Sequence, residues 1–313
     1  MVHLNDGQIA YDTLVIALGS VTKRFECAPN VYNYSFGAKS LRGALKLHQF
    51  FQHELYRRLE SAKQAKENFN IVIGGAGLSG VEIAAGMQHF FNRYYRSNTL
   101  SCATLNIHLI ASRETVLHGM QKQIIHIVTK RLNKLRVNIH TQTRISHIHE
   151  HEITLTNDKV IPFDFMIFAG GTIAAPCLET LALPKNKKGQ LLVDDYLRSQ
   201  KDENIFVIGD CALLTNTKGE IQPPTAQTAE QSGAAAAINI LRMTENKPLK
   251  KAHIQIKGLA IALGGTFAAI SIGKLYFSGY PAYLIKKLTE KIYKWPLWWS
   301  ANQGFKKIEA CEI

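Results

Sequence analysis

Three glycines with the spacing Gly75-x-Gly77-x-x-Gly80 lie in the segment NFNIVIGGAGLSGVEIAAG, residues 68–86. The segment has the pattern of a short strand, a glycine turn and the start of a helix, the setting in which this spacing binds a pyrophosphate. The first glycine permits the tight turn, the second lets the backbone approach the phosphates, and the third lets the helix pack against the strand. The phosphates would then lie at the positive end of the helix. A glycine turn made only for packing is the alternative.

The strand that follows the glycine turn indicates which dinucleotide to expect. An acidic residue at its end would hold the ribose hydroxyls of NAD, but the sequence there is Ile110-Ala111-Ser112-Arg113. Arg113 could accommodate the 2′-phosphate of NADPH, or it could be a solvated loop arginine. Glu114 could still reach the ribose. We therefore expect NADH as the cofactor and leave NADPH open.

Alternating strands and helices must position these residues. Periodicity predicts strands at residues 11–18, 70–73, 105–110, 137–140, 145–155 paired with 160–161, 163–169, 205–208, 254–257, 259–263 and 267–270. It predicts helices at residues 41–66, 78–91, 123–135, 225–242 and 281–299. Strands that alternate with helices and end in glycine indicate an α/β, doubly wound fold with two Rossmann-like dinucleotide-binding domains.

Two further strand endings and one helix carry a family resemblance. YDTLVIALGS (residues 11–20) and NIFVIGDCA (residues 204–212), with the glycine turn between them, resemble the two-dinucleotide-domain flavoproteins, in which an NAD(P) domain interrupts an FAD domain. The segment PPTAQTAEQSG (residues 223–233) resembles the corresponding helix of type II NADH:quinone oxidoreductases. Ser232 stands where that family has the second glutamine of a pair.

The resemblance implies a role for each matching residue. It places FAD at Gly19, Gly209 and Asp210, with Asp210 on the ribityl chain, and at Ala226, where a helix points its positive end at the flavin ring. It places the nicotinamide at Gly171, with Glu82 lying towards the nicotinamide and the flavin. Gln227 and Gln231, one helical turn apart, would present their amides to a quinone carbonyl. The alternatives are a solvated carboxylate at Glu82 and an alanine-rich packing helix at residues 225–242.

The resemblance also divides the chain into four parts. Residues 1–66 would be a remnant of the FAD-binding domain, 67–171 the NAD(P)-binding domain, 172–250 the return to the FAD domain, and 251–313 a small sheet with a C-terminal helix. Enzymes of this class begin with a first glycine fingerprint that binds the ADP half of FAD. We find no such fingerprint ahead of residue 11, so we expect the chain to lack the N-terminal FAD-binding segment.

The implied activity is transfer of a hydride from NAD(P)H to FAD and of electrons to a membrane quinone, without proton pumping. An inactive remnant that binds only nucleotide or membrane is one alternative. A sulfide:quinone oxidoreductase is another, but it needs a pair of redox cysteines near the flavin. Cys177 is the one candidate, and Cys211 has the setting of a small buried residue. The five cysteines contain no C-x-x-C pair.

The charge and the tail indicate where the enzyme acts. The net charge of +13 favours anionic partners, and the tail combines lysines with a face of apolar residues (Leu284, Ile285, Leu288, Ile292 and Trp295). This pattern predicts a peripheral helix on an anionic lipid surface, at the cytoplasmic face of the inner membrane, where quinone is dissolved. A helix packed on its own domain or in a homodimer is the alternative. We see no nucleic-acid recognition module.

The histidines at positions 147, 149 and 151 alternate in the predicted strand at residues 145–155. A strand would place all three side chains on one face, where they could approach a metal ion. An exposed hairpin face is the simpler interpretation, and we expect no metal site.

Overall fold

The computed structural model describes residues 1–3, 6–23, 31–37, 39–50, 53, 57–58, 61, 68–97 and 105–311. The chain forms two units, each built from two stretches of sequence. The first unit comprises Met1–Arg24 and Gly171–Lys257, and the second comprises Phe25–Gly170 and Gly258–Ile313.

The strands of the described ranges are β1 (Val2–His3), β2 (Gln8–Ile9), β3 (Leu14–Ile16), β4 (Ser20–Thr22), β5 (Phe36–Gly37), β6 (Phe69–Gly74), β7 (Leu105–Ile110), β8 (Asn138–His140), β9 (Ile145–Ile148), β10 (Glu152–Leu155), β11 (Val160–Pro162), β12 (Phe165–Phe168), β13 (Thr172–Ala174), β14 (Leu191–Leu192), β15 (Ile205–Val207), β16 (Ala212–Leu213), β17 (Leu259–Ala262), β18 (Ala268–Ile272) and β19 (Leu275–Gly279). The helices are α1 (Val31–Tyr34), α2 (Leu41–Gln49), α3 (Leu78–Ser97), α4 (Lys122–Leu135), α5 (Ala226–Thr244) and α6 (Tyr280–Cys311). Short 3-10 helices occupy Pro176–Leu178 and Gly209–Cys211.

The first unit is organised around a parallel pair of strands, β3 and β15, distant in sequence. Leu14 pairs with Ile205, and Ile16 pairs with Val207. The strand β15 is buried along its whole length, as its continuous apolar sequence predicts. The prediction that residues 11–19 and 204–210 contain neighbouring parallel strands is therefore confirmed. Two further strand pairs belong to this unit. The strand β13 pairs with β4 in an antiparallel arrangement, and β14 pairs with β16 in a parallel one.

The second unit contains a five-stranded parallel sheet with the order β5-β12-β6-β7-β8. Side chains alternate along β6, so Ile71 and Ile73 pack into one core with α3 and α4. Val72 points to the other face and packs into a second core with the antiparallel sheet β11-β10-β9. The parallel sheet with helices confirms the predicted α/β fold class.

A three-stranded antiparallel sheet, β17-β18-β19, also belongs to the second unit. Its residues Ile261 and Ala269 join the core formed with α3 and α4. The helix α6 follows this sheet and contains Pro296. No helix within the described ranges is both long and apolar enough to cross a bilayer.

Two predicted strands and one predicted grouping of histidines differ from the structure. The segment at residues 254–257 is not a strand, and glutamine side chains of α5 bind its backbone instead. The predicted strand at residues 145–155 is two strands, β9 and β10, separated by a turn. His147 lies in β9 whereas His149 and His151 lie in the turn, so the prediction that these histidines share one strand face was wrong.

The predicted helix at residues 41–66 begins as expected at Leu41, and α2 ends at Gln49. Most of its second half, residues 51–66, lies outside the described residues. Cys27 and Cys102 lie outside them too.

Candidate functional site

The glycine turn in the second unit has two positions that only glycine can occupy and one that faces open space. Gly75 has a φ of +116°, and a Cβ built there would lie 2.5 Å from the carbonyl oxygen of Ala169. A Cβ on Gly80 would lie 1.8 Å from the carbonyl oxygen of Gly75. A Cβ on Gly77 would meet no protein atom within 4 Å. Packing therefore explains two of the glycines, and the third leaves room for a ligand against the backbone.

The loop after β7 lies over this turn. The Leu117 N–H donates to the carbonyl oxygen of Ala76 (2.9 Å), and the Gln142 N–H donates to the carbonyl oxygen of Arg113 (2.9 Å). Leu117 is buried and has a φ of +51°, a strained conformation for leucine. Arg113 and Glu114 are exposed on this loop, where both could meet a ribose or its 2′-phosphate. No sequence signal predicts this conformation of Leu117, because leucine has no preference for a positive φ.

Glu82 lies on α3 two residues after Gly80, and its carboxylate is already engaged within the second unit. Its Oε1 accepts hydrogen bonds from the backbone N–H of Ala262 (2.8 Å) and from Nζ of Lys286 (3.0 Å). Lys286 Nζ also donates to the carbonyl oxygen of Ala260 (3.2 Å). The carboxylate thus connects α3 with the small sheet and with α6, a connection that sequence reasoning missed.

The first unit brings together the ends of β3 and β15. Asp210 follows β15, and Ser20 Oγ donates to Asp210 Oδ2 (2.6 Å). Gly19 and Gly209 both have positive φ, +67° and +70°. The Gly209 N–H donates to Oγ of the buried Ser232 on α5 (3.0 Å). Three predicted residues therefore cluster at one edge of this sheet, and the two serines hold them in place.

Gly171, the predicted nicotinamide residue, also belongs to the first unit. It has a φ of +104°, and a Cβ built there would meet no atom within 4 Å. Its carbonyl oxygen accepts a hydrogen bond from the Lys23 N–H (3.0 Å).

The N-terminus of α5 follows Pro223-Pro224 and is capped. Thr225 is the N-cap residue, and it forms a capping box with Thr228, so the two side chains bond each other's backbone N–H. Ala226 is the first helical residue, and it is exposed. The cap fixes the helix end for which the resemblance implies a position facing the flavin ring.

Gln227 and Gln231 both bind the backbone of the segment that follows α5. Gln231 forms two hydrogen bonds with Gln255: Nε2 donates to the carbonyl oxygen and Oε1 accepts from the N–H, each at 2.9 Å. Gln227 Oε1 accepts from the Lys257 N–H (3.0 Å). The two amides lie on one helix face as the spacing predicts, and in this structure they bind residues 255–257.

Cys177 and Cys211, the two cysteines considered for a redox role, differ in accessibility. Cys177 is exposed in the 3-10 helix Pro176–Leu178, whereas Cys211 is buried after Asp210. Burial raises the pKa of the Cys211 thiol, which donates to the carbonyl oxygen of Ile208 (3.2 Å). Among the described residues, no group of three or more histidine, cysteine or acidic side chains could hold a metal ion.

Comparison with known proteins finds a matching family and similar relatives. The sequence pattern of the family described as pyridine nucleotide-disulphide oxidoreductase matches residues 2–233. The chain is 30% identical over 280 residues to the type II NADH:quinone oxidoreductase of Haemophilus influenzae and 31% identical over 294 residues to the demethylphylloquinone reductase NdbB of Synechocystis sp.. These alignments cover 85% and 93% of this chain, and 63% and 68% of the two relatives.

A solved structure has a similar fold. The NDH2 of Plasmodium falciparum, in complex with NADH, superposes with a TM-score of 0.73 and 19% sequence identity. The superposition covers 90% of this chain and 74% of that chain.

Proposed function

This chain belongs to the pyridine nucleotide-disulphide oxidoreductase family, and from that premise we propose that it is an FAD-dependent NAD(P)H:quinone oxidoreductase of type II. The names of its relatives in Haemophilus influenzae and Synechocystis support a quinone as the electron acceptor. The observation that carries the proposal is the hydrogen bond between Ser20 and Asp210, since it joins the ends of two strands at the place where the resemblance puts the FAD ribityl chain.

The residues of each unit fit the group assigned to them. The open space beside Gly77 suits a pyrophosphate, which would lie at the N-terminus of α3. In the first unit, Gly19, Gly209 and Asp210 would bind FAD, and the capped N-terminus of α5 at Ala226 would face the ring. When bound, the two cofactors supply hydride transfer from nicotinamide to flavin and electron transfer to the quinone.

The residues of this chain bind and orient the cofactors and the quinone. Gly171 lets a flat ring approach the backbone, and Arg113 with Glu114 selects between NADPH and NADH through the ribose. Gln227 and Gln231 would contact the quinone from α5, in exchange for their bonds to residues 255–257. The positive end of α5 stabilises negative charge that develops next to it.

We assign α6 to a membrane surface of anionic lipid. Its large apolar side chains are exposed, with Trp295 at 70%, Trp298 at 63% and Ile292 at 62%. Lys287, Lys291 and Lys294 lie on the same helix, and each lysine near an anionic surface contributes about 1 kcal/mol. A quinone dissolves in lipid, so an enzyme that reduces it gains from lying on the bilayer. We propose the cytoplasmic face of the inner membrane.

The decisive experiment is reconstitution of the purified chain with FAD, followed by NADH addition under anaerobic conditions. The proposal expects a bound flavin whose absorbance bleaches with NADH and returns with a soluble quinone. A chain that binds NADH but no flavin would instead be the inactive remnant.

Two glycine variants test the nucleotide site separately. Gly77→Ala should raise the KM for NADH at least about tenfold, since the methyl group fills space that only a ligand uses. It should leave the melting temperature unchanged. The matched control is Gly86→Ala, a position inside α3 that also has open space, which should leave KM unchanged. Equal KM values for the two variants would contradict the assignment of the phosphate site.

Vesicle flotation tests the surface assigned to α6. The chain should float with vesicles that contain anionic phosphatidylglycerol and much less with neutral phosphatidylcholine, and replacement of Lys287, Lys291 and Lys294 by glutamine should abolish the difference. A dimer in solution, with no binding to either vesicle, would instead assign this helix to contact between two copies.

A further inference from the structure

Gln190 is a buried polar side chain that contacts the backbone of the turn containing Asp210. It is 8% exposed, and its Nε2 donates to the carbonyl oxygen of Asp210 (3.1 Å) and to that of Ala212 (3.2 Å). Its Oε1 accepts a hydrogen bond from Nδ2 of Asn186 (2.9 Å). Both ends of the amide are therefore engaged, and one end binds a carbonyl oxygen in the turn Gly209–Cys211 and another at the start of β16.

A glutamine at this position needs a physical reason, because burial of an amide without partners is costly. The next residue, Leu191, is fully buried and pairs with Ala212. The carbonyl oxygens of Asp210 and Ala212 both accept from the Gln190 side chain, and an apolar residue at position 190 would remove these two hydrogen bonds. The amide of Gln190 supplies both donors, so it fixes the turn against the end of β14.

Two other contacts hold the same turn from different elements. Ser20, at the start of β4, donates to the carboxylate of Asp210, and Ser232 on α5 accepts from the N–H of Gly209. Gln190 binds the backbone carbonyl oxygens of Asp210 and Ala212. The carboxylate, the N–H and the carbonyl groups of this turn are thus each bound by a side chain from a different part of the first unit.

We propose that Gln190 is a positioning residue for the flavin site, since it holds the backbone from which Asp210 reaches the FAD ribityl chain. The inference rests on the proposed function, because it needs Asp210 to contact FAD. Gln190 does not itself contact the cofactor. It sets the geometry of the carboxylate, and its loss weakens FAD binding through Asp210.

The test is a double-mutant cycle on FAD affinity, measured by titration of the apoprotein with FAD. Gln190→Met keeps the side-chain volume and removes both donors, and it should raise the Kd for FAD about tenfold. In the Asp210→Asn background the same change should alter Kd less than about twofold, because the carboxylate that Gln190 positions is already lost. A purely structural effect would weaken binding equally in both backgrounds.

A control and a milder variant accompany the cycle. Gln88 is also a buried glutamine, 4% exposed, on α3 of the second unit, and Gln88→Met should leave the Kd for FAD unchanged. Asn186→Asp removes the donor to Gln190 but keeps the Oδ1 that accepts from the N–H groups of Lys188 and Gln190. It should raise Kd about threefold and remain informative if Gln190→Met fails to fold.

The outcomes separate the inference from the proposed function. A wild-type chain that binds no FAD overturns both. A wild-type chain that binds FAD, with Gln190→Met and Asn186→Asp at wild-type Kd, overturns the inference alone. Equal effects of Gln190→Met on the Kd for FAD in the wild-type and Asp210→Asn backgrounds also overturn the inference. Non-additive loss of FAD affinity supports it.

Discussion

Lys286 Nζ lies 3.0 Å from Oε1 of Glu82, which joins the C-terminal helix α6 to the helix α3 that follows the glycine turn. The lysine side chain is 21% exposed and the carboxylate side chain 34% exposed. The same Oε1 accepts from the Ala262 N–H. The residue predicted to lie towards the cofactors therefore also connects α6, the proposed membrane-binding helix, to α3.

Lys286→Met should destabilise the chain by about 1 kcal/mol, a value between those of exposed and buried ion pairs because both side chains are partly exposed. Urea unfolding measures the change. Glu82→Gln keeps an oxygen acceptor for the Ala262 N–H and removes only the charge that faces Lys286. In the Lys286→Met background, the loss of stability caused by Glu82→Gln should therefore fall to near zero. Lys287→Met is the control, since Lys287 is 52% exposed and pairs with Glu290. Additive effects of the Glu82 and Lys286 changes would show that the pair contributes nothing.

The two hydrogen bonds between Gln231 and Gln255 predict a local effect of mutation. Gln231→Leu removes both and should cost about 1–2 kcal/mol. It should also speed amide hydrogen exchange at residues 254–257, where the backbone has no strand partner. Glu230→Leu on the exposed side of α5 is the matched control and should leave exchange there unchanged. Unchanged exchange in Gln231→Leu would mean that the segment is held by other contacts.

Much of the fold follows from local patterns in the sequence. The buried strand β6, the glycine turn and α3 form as predicted because apolar runs, glycine spacing and helical periodicity all agree over residues 69–97. The parallel pairing of β3 with β15 was predicted from the resemblance, since no local pattern reports a partner 191 residues away, as Ile205 is from Leu14.

The parts that the sequence did not predict depend on contacts between distant side chains and backbone. The segment at residues 254–257 has the composition of a strand, yet glutamines of α5 take the place of a neighbouring strand. The bonds of Gln190 to the Asp210 turn, and of Glu82 to Ala262, join residues that only the folded chain brings together. No pattern of spacing encodes such pairs.

Cysteine accessibility tests the sulfide:quinone alternative. Cys177 is exposed and should react with iodoacetamide in the native protein, whereas Cys211 is buried with a raised thiol pKa and should react only after unfolding. Mass spectrometry of the labelled peptides measures both. Cys177→Ser should leave quinone reduction by NADH unchanged, because hydride transfer needs no thiol. Loss of activity in Cys177→Ser would instead favour a cysteine-dependent enzyme.

Two partly buried histidines form a pair in the parallel sheet of the second unit. Nδ1 of His108 on β7 lies 3.0 Å from Nε2 of His140 on β8. Burial, and to a smaller extent the neighbouring His140 and Lys159, together lower the pKa of His108 from 6.5 to about 4. Burial and Lys159 also lower the pKa of His140.

Because the folded pKa of His108 lies below the unfolded value, the unfolded chain binds more protons between pH 6.5 and about pH 4. The contribution of His108 to the free energy of unfolding should therefore be complete above pH 6.5, and the free energy of unfolding should fall as the pH drops through this window. His108→Phe keeps a ring of similar size and removes the titration, so urea unfolding over the same range should show a weaker pH dependence. His126→Asn, at an exposed position on α4, is the control and should keep the wild-type slope. A wild-type slope in His108→Phe would exclude this histidine as the source of the acid sensitivity.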